Sequence, residues 1–337
     1  MSLKSPDPIE GTRYTASIGP SLAAMTNPPD ELQEIPPSLQ EFFARLERLL
    51  GNLQAREVLN TMRQPKRRGF WVNALRQGRP LQGAVRLPGV PDFWTLAADG
   101  DLQLGLDPQV GSGEVYPLNP SSVLAVLALA PQADEELLDL AAAPGGKTLL
   151  MAAAMNNSGR IAAVEPVKPR FHRLRANLAR CGARNVAFYL ADGRGVGAKV
   201  PGRFDGVLLD APCSSEARMR LAEPDTFAHW KPRKIKEASR KQRRLLRSGY
   251  AALKVGGRLI YSTCAFAPEE NEANVDYLLT REPGAEIVPL HLPAGPLREG
   301  TTQWRGRAFH PSVRHCVRVM PDDLWDGFFV AKIVKRS

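Results

Sequence analysis

Residues 136–150 read ELLDLAAAPGGKTLL, and the fold turns on how this stretch is parsed. A short apolar run ends in a turn of small residues, and a helical pattern follows, so the segment reads as strand, turn and helix. Gly146-Lys147-Thr148 invites comparison with a triphosphate-binding loop. That motif needs a glycine five positions before Gly146, where Ala141 stands, and GxGxxG is absent as well. What remains is a tight glycine turn that lets a ligand approach the backbone, with the amides of a helix N-terminus aimed at it. Asp139, at the end of the strand, can accept from a ligand amine or hydroxyl.

Working outward, the same texture repeats. Further strands are predicted in RIAAVE, VAFYLA, FDGVLLD, GRLIYST and AEIVPL, with helices over 147–155, 169–181, 235–253 and 270–280. Strands alternating with helices imply an α/β fold with a doubly wound, mostly parallel sheet. CVRVM and GFFVAKIV follow without a helix between them, which predicts an antiparallel addition at the C-terminal end. Upstream, residues 1–37 hold seven prolines and little apolar periodicity and read as a disordered tail. Ser38 and Glu41 fit a capping box, Phe42, Phe43, Leu46, Leu49 and Leu50 form a helical stripe, and Gly51 can end it. A second helix over 53–62 and short strands in GFWVNAL and AVRLPGVPDFWTLA complete a small α+β module. The expected domains are therefore 38–112 for the module and 113–337 for the main body.

The net charge of +10 is concentrated. Residues 216–247 hold eleven Lys or Arg against four Asp or Glu, and the segment 231–247, bounded by Lys231 and Arg247, is the centre of this excess. A one-signed tract of this size favours a polyanion, most simply nucleic acid, over a solvated face. No apolar run is long enough to suggest a membrane span, and no secretory signal is visible. Cys181, Cys213, Cys264 and Cys316 show no close metal spacing and are too sparse for a secreted disulfide framework. Free thiols in a reducing cytoplasm, without a metal, are expected.

Ligands in open α/β sheets bind beyond the carboxyl ends of the strands. Two cysteines fall there, Cys213 in FDGVLLDAPCSSE and Cys264 in RLIYSTCAFAPEENE. Two thiols at two strand ends can be a disulfide, half a metal site, two core residues or two parts of one reaction. Glu165 closes the second strand about 20 residues after the glycine turn, where an acidic residue accepts from a ribose diol. Asp192 closes the third. A lone strand-end Asp is more often a cap, whereas Asp139, Glu165 and Asp192 together suit a ligand carrying an amine, a ribose and an adenine.

LDLAAAPGGKT, DAPCSSE and YSTCAFAPEENE together resemble the Sun/NOP family of RNA cytosine-5 methyltransferases, which use S-adenosyl-L-methionine. The resemblance covers residues 113–335, with VYPLNPSS leading into the first strand. It implies a Rossmann-like class I methyltransferase sheet. It also implies that the backbone at Ala142, Ala143, Pro144, Gly145, Gly146 and Lys147 holds the methionine part of the cofactor. Glu165 would take the ribose, Asp192 would lie by the adenine, and Arg170 and Asp210 join the cofactor set. Two places depart from the family pattern. Leu118-Asn119 stands where a Gln with an acidic residue is common, and Asp322 stands where many members carry a His after the proline.

Carbon 5 of cytosine is a weak nucleophile, and a thiolate adding to carbon 6 activates it. The thiol needs a lowered pKa or a nearby base, and a carboxyl at the base's nitrogen 3 can stabilise the charge that addition creates. From the resemblance, Cys264 is the nucleophile, Asp210 contacts nitrogen 3, and Cys213 assists proton removal and product release. Cys181 and Cys316 read as inert core thiols, and Glu269, Glu270 and Asn271 as caps of the next helix. The expected substrate is a cytosine in RNA, ribosomal rather than transfer RNA, held by the basic segment and the N-terminal module. DNA cytosine-5 methylation would instead put the nucleophile at Cys213, and a non-catalytic ribosome-assembly factor on the same fold would need neither thiol.

Overall fold

The computed structural model of the protein describes residues 35–97 and 104–337. The tail expected over 1–37 lies outside these residues except for its last three. Ser38–Ser337 form one compact unit. Two helices open it, α1 (Gln40–Leu50) and α2 (Asn52–Arg63), separated by Gly51 at a φ of 83° that disfavours a side chain. Phe42, Phe43, Leu46 and Leu50 are buried along α1, as their spacing requires. The capping box does not form. Ser38 lies in a 3-10 turn over Pro37–Leu39, which moves the helix start to Gln40, and the N-cap Leu39 makes no side-chain bond.

Strands β1 (Arg68–Val72), β2 (Val85–Arg86) and β3 (Phe93–Leu96) follow. After the short α3 (Pro108–Ser112), β4 (Val115–Pro117) pairs with β1 and completes an antiparallel sheet in the order β2-β3-β1-β4. This sheet therefore closes on residues beyond the expected boundary at 112.

The main sheet begins with α4 (Pro120–Leu129), β5 (Glu136–Asp139), α5 (Gly146–Ala154) and β6 (Arg160–Val164). It continues through α6 (Lys168–Arg180), β7 (Val186–Tyr189), α7 (Val196–Lys199) and β8 (Phe204–Asp210). Next come α8 (Pro232–Ala252), β9 (Leu253–Thr263), α9 (Glu272–Arg281) and β10 (Ala285–Ile287). Four short strands, β11 (Leu297–Glu299), β12 (Gln303–Trp304), β13 (Arg307–Ala308) and β14 (Val317–Val319), lead to β15 (Phe328–Lys335).

Strands β7, β6, β5, β8 and β9 pair parallel in that order, and β15 pairs antiparallel with β9. The far edge of β15 is shared by β14 over its first half and β10 over its second. Both run in the same direction as β9, so β15 is the reversed strand that the C-terminal pattern predicts. The short β11, reversed on β14, is an addition to that expectation. Right-handed crossovers put α5 and α6 on one face and α8 and α9 on the other. With both faces covered, Leu137, Leu138, Val207, Leu208, Leu209, Leu259 and Ile260 are fully buried. This explains why these strands read as continuous apolar runs. Each such side chain contributes roughly 1.5–3 kcal/mol. Among the described residues no helix is long and apolar enough to cross a membrane.

The small sheet is fastened to the large one by polar contacts as well as by packing. Asn73, with no exposed surface, donates through Nδ2 to the carbonyls of Gly113 (2.7 Å) and Cys181 (2.8 Å) and accepts from the Leu75 amide. Asn73→Ala strands two buried carbonyls and is expected to lower unfolding stability by about 1–3 kcal/mol. Urea denaturation monitored by circular dichroism measures the loss, and an unchanged midpoint would refute the role.

Candidate active site

Strands β8 and β9 are adjacent, parallel and in register, with Asp210 opposite Ser262. Neighbouring strands lie about 4.8 Å apart, so residues just past these paired ends must meet. Cys213 and Cys264 do so, their sulfurs 3.2 Å apart. This is hydrogen-bond contact and not a disulfide, and all four cysteines are free. Cys181 and Cys316 are buried elsewhere, with their thiols pushed up chiefly by burial.

On the other side of β8 the glycine turn completes a cleft of about 410 Å³. Ala142, Ala143, Pro144, Gly146 and Lys147 line one wall, and Asp210, Cys213 and Cys264 line the other. Gly145 caps α5 at a φ of 112°. A Cβ on Gly146 would come within 3.1 Å of the Tyr116 ring and 3.2 Å of Leu118, so a side chain here would crowd two residues that line the cleft. Asp139 lines the same wall. Burial, opposed by a 2.6 Å bond from Thr148, pushes its carboxyl up to about 6. A cationic amine would offset that burial. Lys147 donates to Asp210 Oδ2 at 2.7 Å, and Ser262 donates to Oδ1 at 3.0 Å.

The two thiols are electrostatically unequal. The hydrogen bond from Cys213 and the positive charge of Arg218 outweigh burial and bring Cys264 down to about 7. Cys213 is pushed well above the ordinary thiol value, first by that same bond and then by burial. Ionisation of the pair therefore begins at Cys264, and the thiolate so formed accepts from the Cys213 thiol.

Other predicted residues fall less simply. Glu165 is buried beneath the rim, where it accepts from the Val167 amide. Arg170 links it to the cleft, 3.4 Å from Glu165 and 2.8 Å from the Ala143 carbonyl. Asp192 does not close a strand. It lies three residues past β7, caps a 3-10 turn by accepting from the Arg194 amide, and pairs with the Arg194 side chain outside this cleft. The capping expectation for residues 269–271 is overturned, because the N-cap Asn271 makes no side-chain cap bond. Glu269 pairs instead with Arg45, Glu270 holds the Cys213 loop, and Asn271 donates to the Ala265 carbonyl beside Cys264.

Two features escaped the sequence reading. Arg218 lines the cleft with an exposed side chain and no ion-pair partner among the described residues, but in the sequence it is one cation of many. Helix α6 forms a second basic surface. No Asp or Glu occurs between Glu165 and Asp192, a span with six Lys or Arg. The positions that depart from the family pattern also meet, since Asn119 donates to the Leu324 carbonyl at 3.0 Å and Asp322 ties the turn leading there.

Because only the thiolate is reactive, iodoacetamide is expected to label Cys264 before Cys213, with a rate that rises through pH 7. Arg218→Leu should move that midpoint upward. Mass spectrometry of the labelled peptides reads both, and equal labelling of the two thiols would refute the assignment.

A family profile described as 16S rRNA methyltransferase RsmB/F matches residues 126–334. The ribosomal RNA small subunit methyltransferase F of Shigella dysenteriae is 38% identical over 300 residues, covering 83% of this chain and 59% of that protein. Its Klebsiella pneumoniae counterpart is 42% identical over 252 residues, covering 73% and 50%. The chain thus spans between half and three fifths of the length of these curated relatives. A methyltransferase homolog from Pyrococcus horikoshii superposes with a TM-score of 0.74 at 32% identity, over 88% of this chain and 94% of that one. NSun6 from the same organism shares the fold at 21% identity, also with a TM-score of 0.74 and with 90% and 98% coverage. With the profile matching well over half of its length, the chain belongs to the RsmB/F family of 16S rRNA methyltransferases.

Proposed function

We propose that the protein methylates carbon 5 of a cytosine in small-subunit ribosomal RNA through a covalent bond between Cys264 and carbon 6. The observation that carries this reading is a pair of thiols 3.2 Å apart, one lowered to about 7, sharing a cleft with Asp210 and the glycine turn. The methyl donor is S-adenosyl-L-methionine. When bound it supplies an electrophilic methyl group. The turn from Ala142 to Lys147, with Asp139, would hold its amino-acid end, and Glu165 and Arg170 its ribose side.

The chain's own residues do the rest. The Cys264 thiolate forms the sulfur–carbon 6 bond, and the displaced electron pair makes carbon 5 nucleophilic. Asp210, oriented by Lys147 and Ser262, faces the base as the contact for nitrogen 3. After methyl transfer carbon 5 carries both a methyl group and a proton. The largest influence holding the Cys213 proton in place is its bond to the Cys264 thiolate. Adduct formation removes that influence, so Cys213 can lose its proton to solvent water and, as a thiolate, take the proton from carbon 5. The carbon 5–carbon 6 double bond then reforms and Cys264 leaves as thiolate. Transfer RNA as substrate lacks the support that the ribosomal relatives give, and the same kinship supports a cytoplasmic location.

Cys213→Ala is expected to accumulate a covalent protein–RNA adduct with unmodified small-subunit RNA, and Cys264→Ala to form none and lose activity. Denaturing gels separate the species. The reverse pattern would favour the chemistry of a Pro-Cys nucleophile, and no methylation by the wild type would leave the scaffold reading.

The target base must leave its stack to reach this cleft, so the backbone around it needs anchoring. Helix α6 begins just past β6, beside the cleft, and α8 passes the cleft at Gln242, which donates to the Pro212 carbonyl. Arg173 and Arg175 are exposed on α6, and Lys236, Arg240 and Arg244 are exposed on α8. Reversing either set is expected to flatten the salt dependence of RNA binding by roughly 0.7–0.9 logarithmic units for each phosphate that is no longer neutralised. Filter binding across a salt series reads the slope, and an unchanged slope removes that helix from the interface.

A further inference from the structure

Glu270 has no exposed surface, and its position in the chain, just before α9, gives no hint of what it holds. Its Oε2 accepts from the Ser214 amide at 3.0 Å and from Gln242 Nε2 at 2.8 Å. The same Gln242 nitrogen donates to the Pro212 carbonyl at 3.0 Å. Peptide groups on both sides of Cys213 are thus held from beneath by one carboxyl and one amide. Gln242 is in turn fixed through Oε1, which accepts from Asn274 at 2.8 Å. Tyr261 and Asn274 both donate to the Glu270 carbonyl, so the carboxyl stands on a rigid base. Glu270 Oε1 and Ser214 Oγ are buried without a hydrogen-bond partner among the described residues, although their side chains are already neighbours.

We propose that Glu270 is a positioning residue for product release, aiming the Cys213 thiol at the carbon 5 proton through Ser214 and Gln242. This rests on the methyl-transfer reading above. The charge state of Glu270 is part of the arrangement. Burial, with the Glu216 carboxyl nearby, pushes Glu270 up to about 8, so it is neutral when the protein works near pH 7. A neutral acid keeps one O–H to donate and places no negative charge beside a thiol that must itself lose a proton. Ionised Glu270 would push Cys213 higher still. The other titratable groups facing this cavity are Glu216, also pushed up by burial, Tyr261 of β9, pushed well up, and Arg243 of α8, shifted down by burial but cationic. Ionisation of Glu270 is therefore a change expected beneath the Cys213 loop between pH 7 and 9, a range in which Cys264 above it is already passing to thiolate.

The test measures the steady-state fraction of covalent adduct with unmodified small-subunit RNA and S-adenosyl-L-methionine, from pH 6.5 to 9.5. Glu270→Ala is expected to raise the adduct fraction and slow turnover by about ten-fold, the scale of one missing buried hydrogen bond. Initial adduct formation should persist. Glu270→Gln keeps a neutral group with the same donor and acceptor, so it should turn over like wild type at pH 7. It should also escape the wild-type slowing above pH 8. The inference is overturned if Glu270→Ala releases product at the wild-type rate, or if Glu270→Gln stalls as badly as Glu270→Ala at pH 7. If Glu270→Ala fails to bind S-adenosyl-L-methionine, Gln242→Ala removes the second arm of the same clamp and is read in the same way. Cys213→Ala runs beside them. If it traps no RNA, the methyl-transfer reading itself fails, whereas trapping by Cys213→Ala alone refutes only the role of Glu270.

Discussion

The ladder that sets Asp210 opposite Ser262 governs the mouth of the sheet. Two loops leave from that point, one carrying Cys213 and the other Cys264, and their sulfurs touch because the strands beneath them end level. The same ladder turns the Asp210 carboxylate toward Ser262 on one side and Lys147 on the other. A register slip of one residue would turn the side chains of one strand to the opposite face. It would separate the thiols and break the Asp210 contacts together. The continuous burial of β8 and β9 resists such a slip, so the apolar core is also what fixes the distance between the two sulfurs.

Below this ladder lies a second, polar layer. Glu269, Glu270, Asn271 and Glu272 are consecutive in sequence but point to four destinations: Arg45, the Cys213 loop, the Cys264 loop and Arg318. The Arg318–Glu272 pair is buried, with bonds of 2.6 and 2.5 Å, and Arg318 also donates to the Phe266 carbonyl. Buried ion pairs add little net stability. Their value here is geometric, because each fixes a loop that has no regular secondary structure to hold it.

Much of this architecture was legible in the sequence because burial on both faces writes parallel strands as plain apolar runs, and VLLD and LIYST could hardly be read otherwise. The glycine turn was legible because neither alternative phosphate motif fits its spacing. Contacts between residues distant in sequence left weaker traces. Nothing in the 50 residues between Cys213 and Cys264 states that they touch. Asp192 looked like a strand-end ligand because a strand end and a cap share the same local pattern. The run at 269–271 looked like a helix cap because acidic and amide residues before a helix usually are one, and only the tertiary structure shows them pointing inward. Arg218 was hidden by its own neighbourhood, one cation in a tract full of them.

The packing of α1 has a consequence for modularity. Phe42 stacks edge-on against Trp230 with centroids 5.6 Å apart and lies 6.3 Å from Phe266, two residues after Cys264. Arg45 reaches Glu269 from the same helix. Helix α1 therefore supplies part of the floor on which the loop after Cys264 rests. Such an element cannot be exchanged between proteins like a detachable adaptor, because its replacement must also rebuild the hydrophobic seat under Phe266. Its outer face is free of that constraint, but its inner face is bound to the loop it supports.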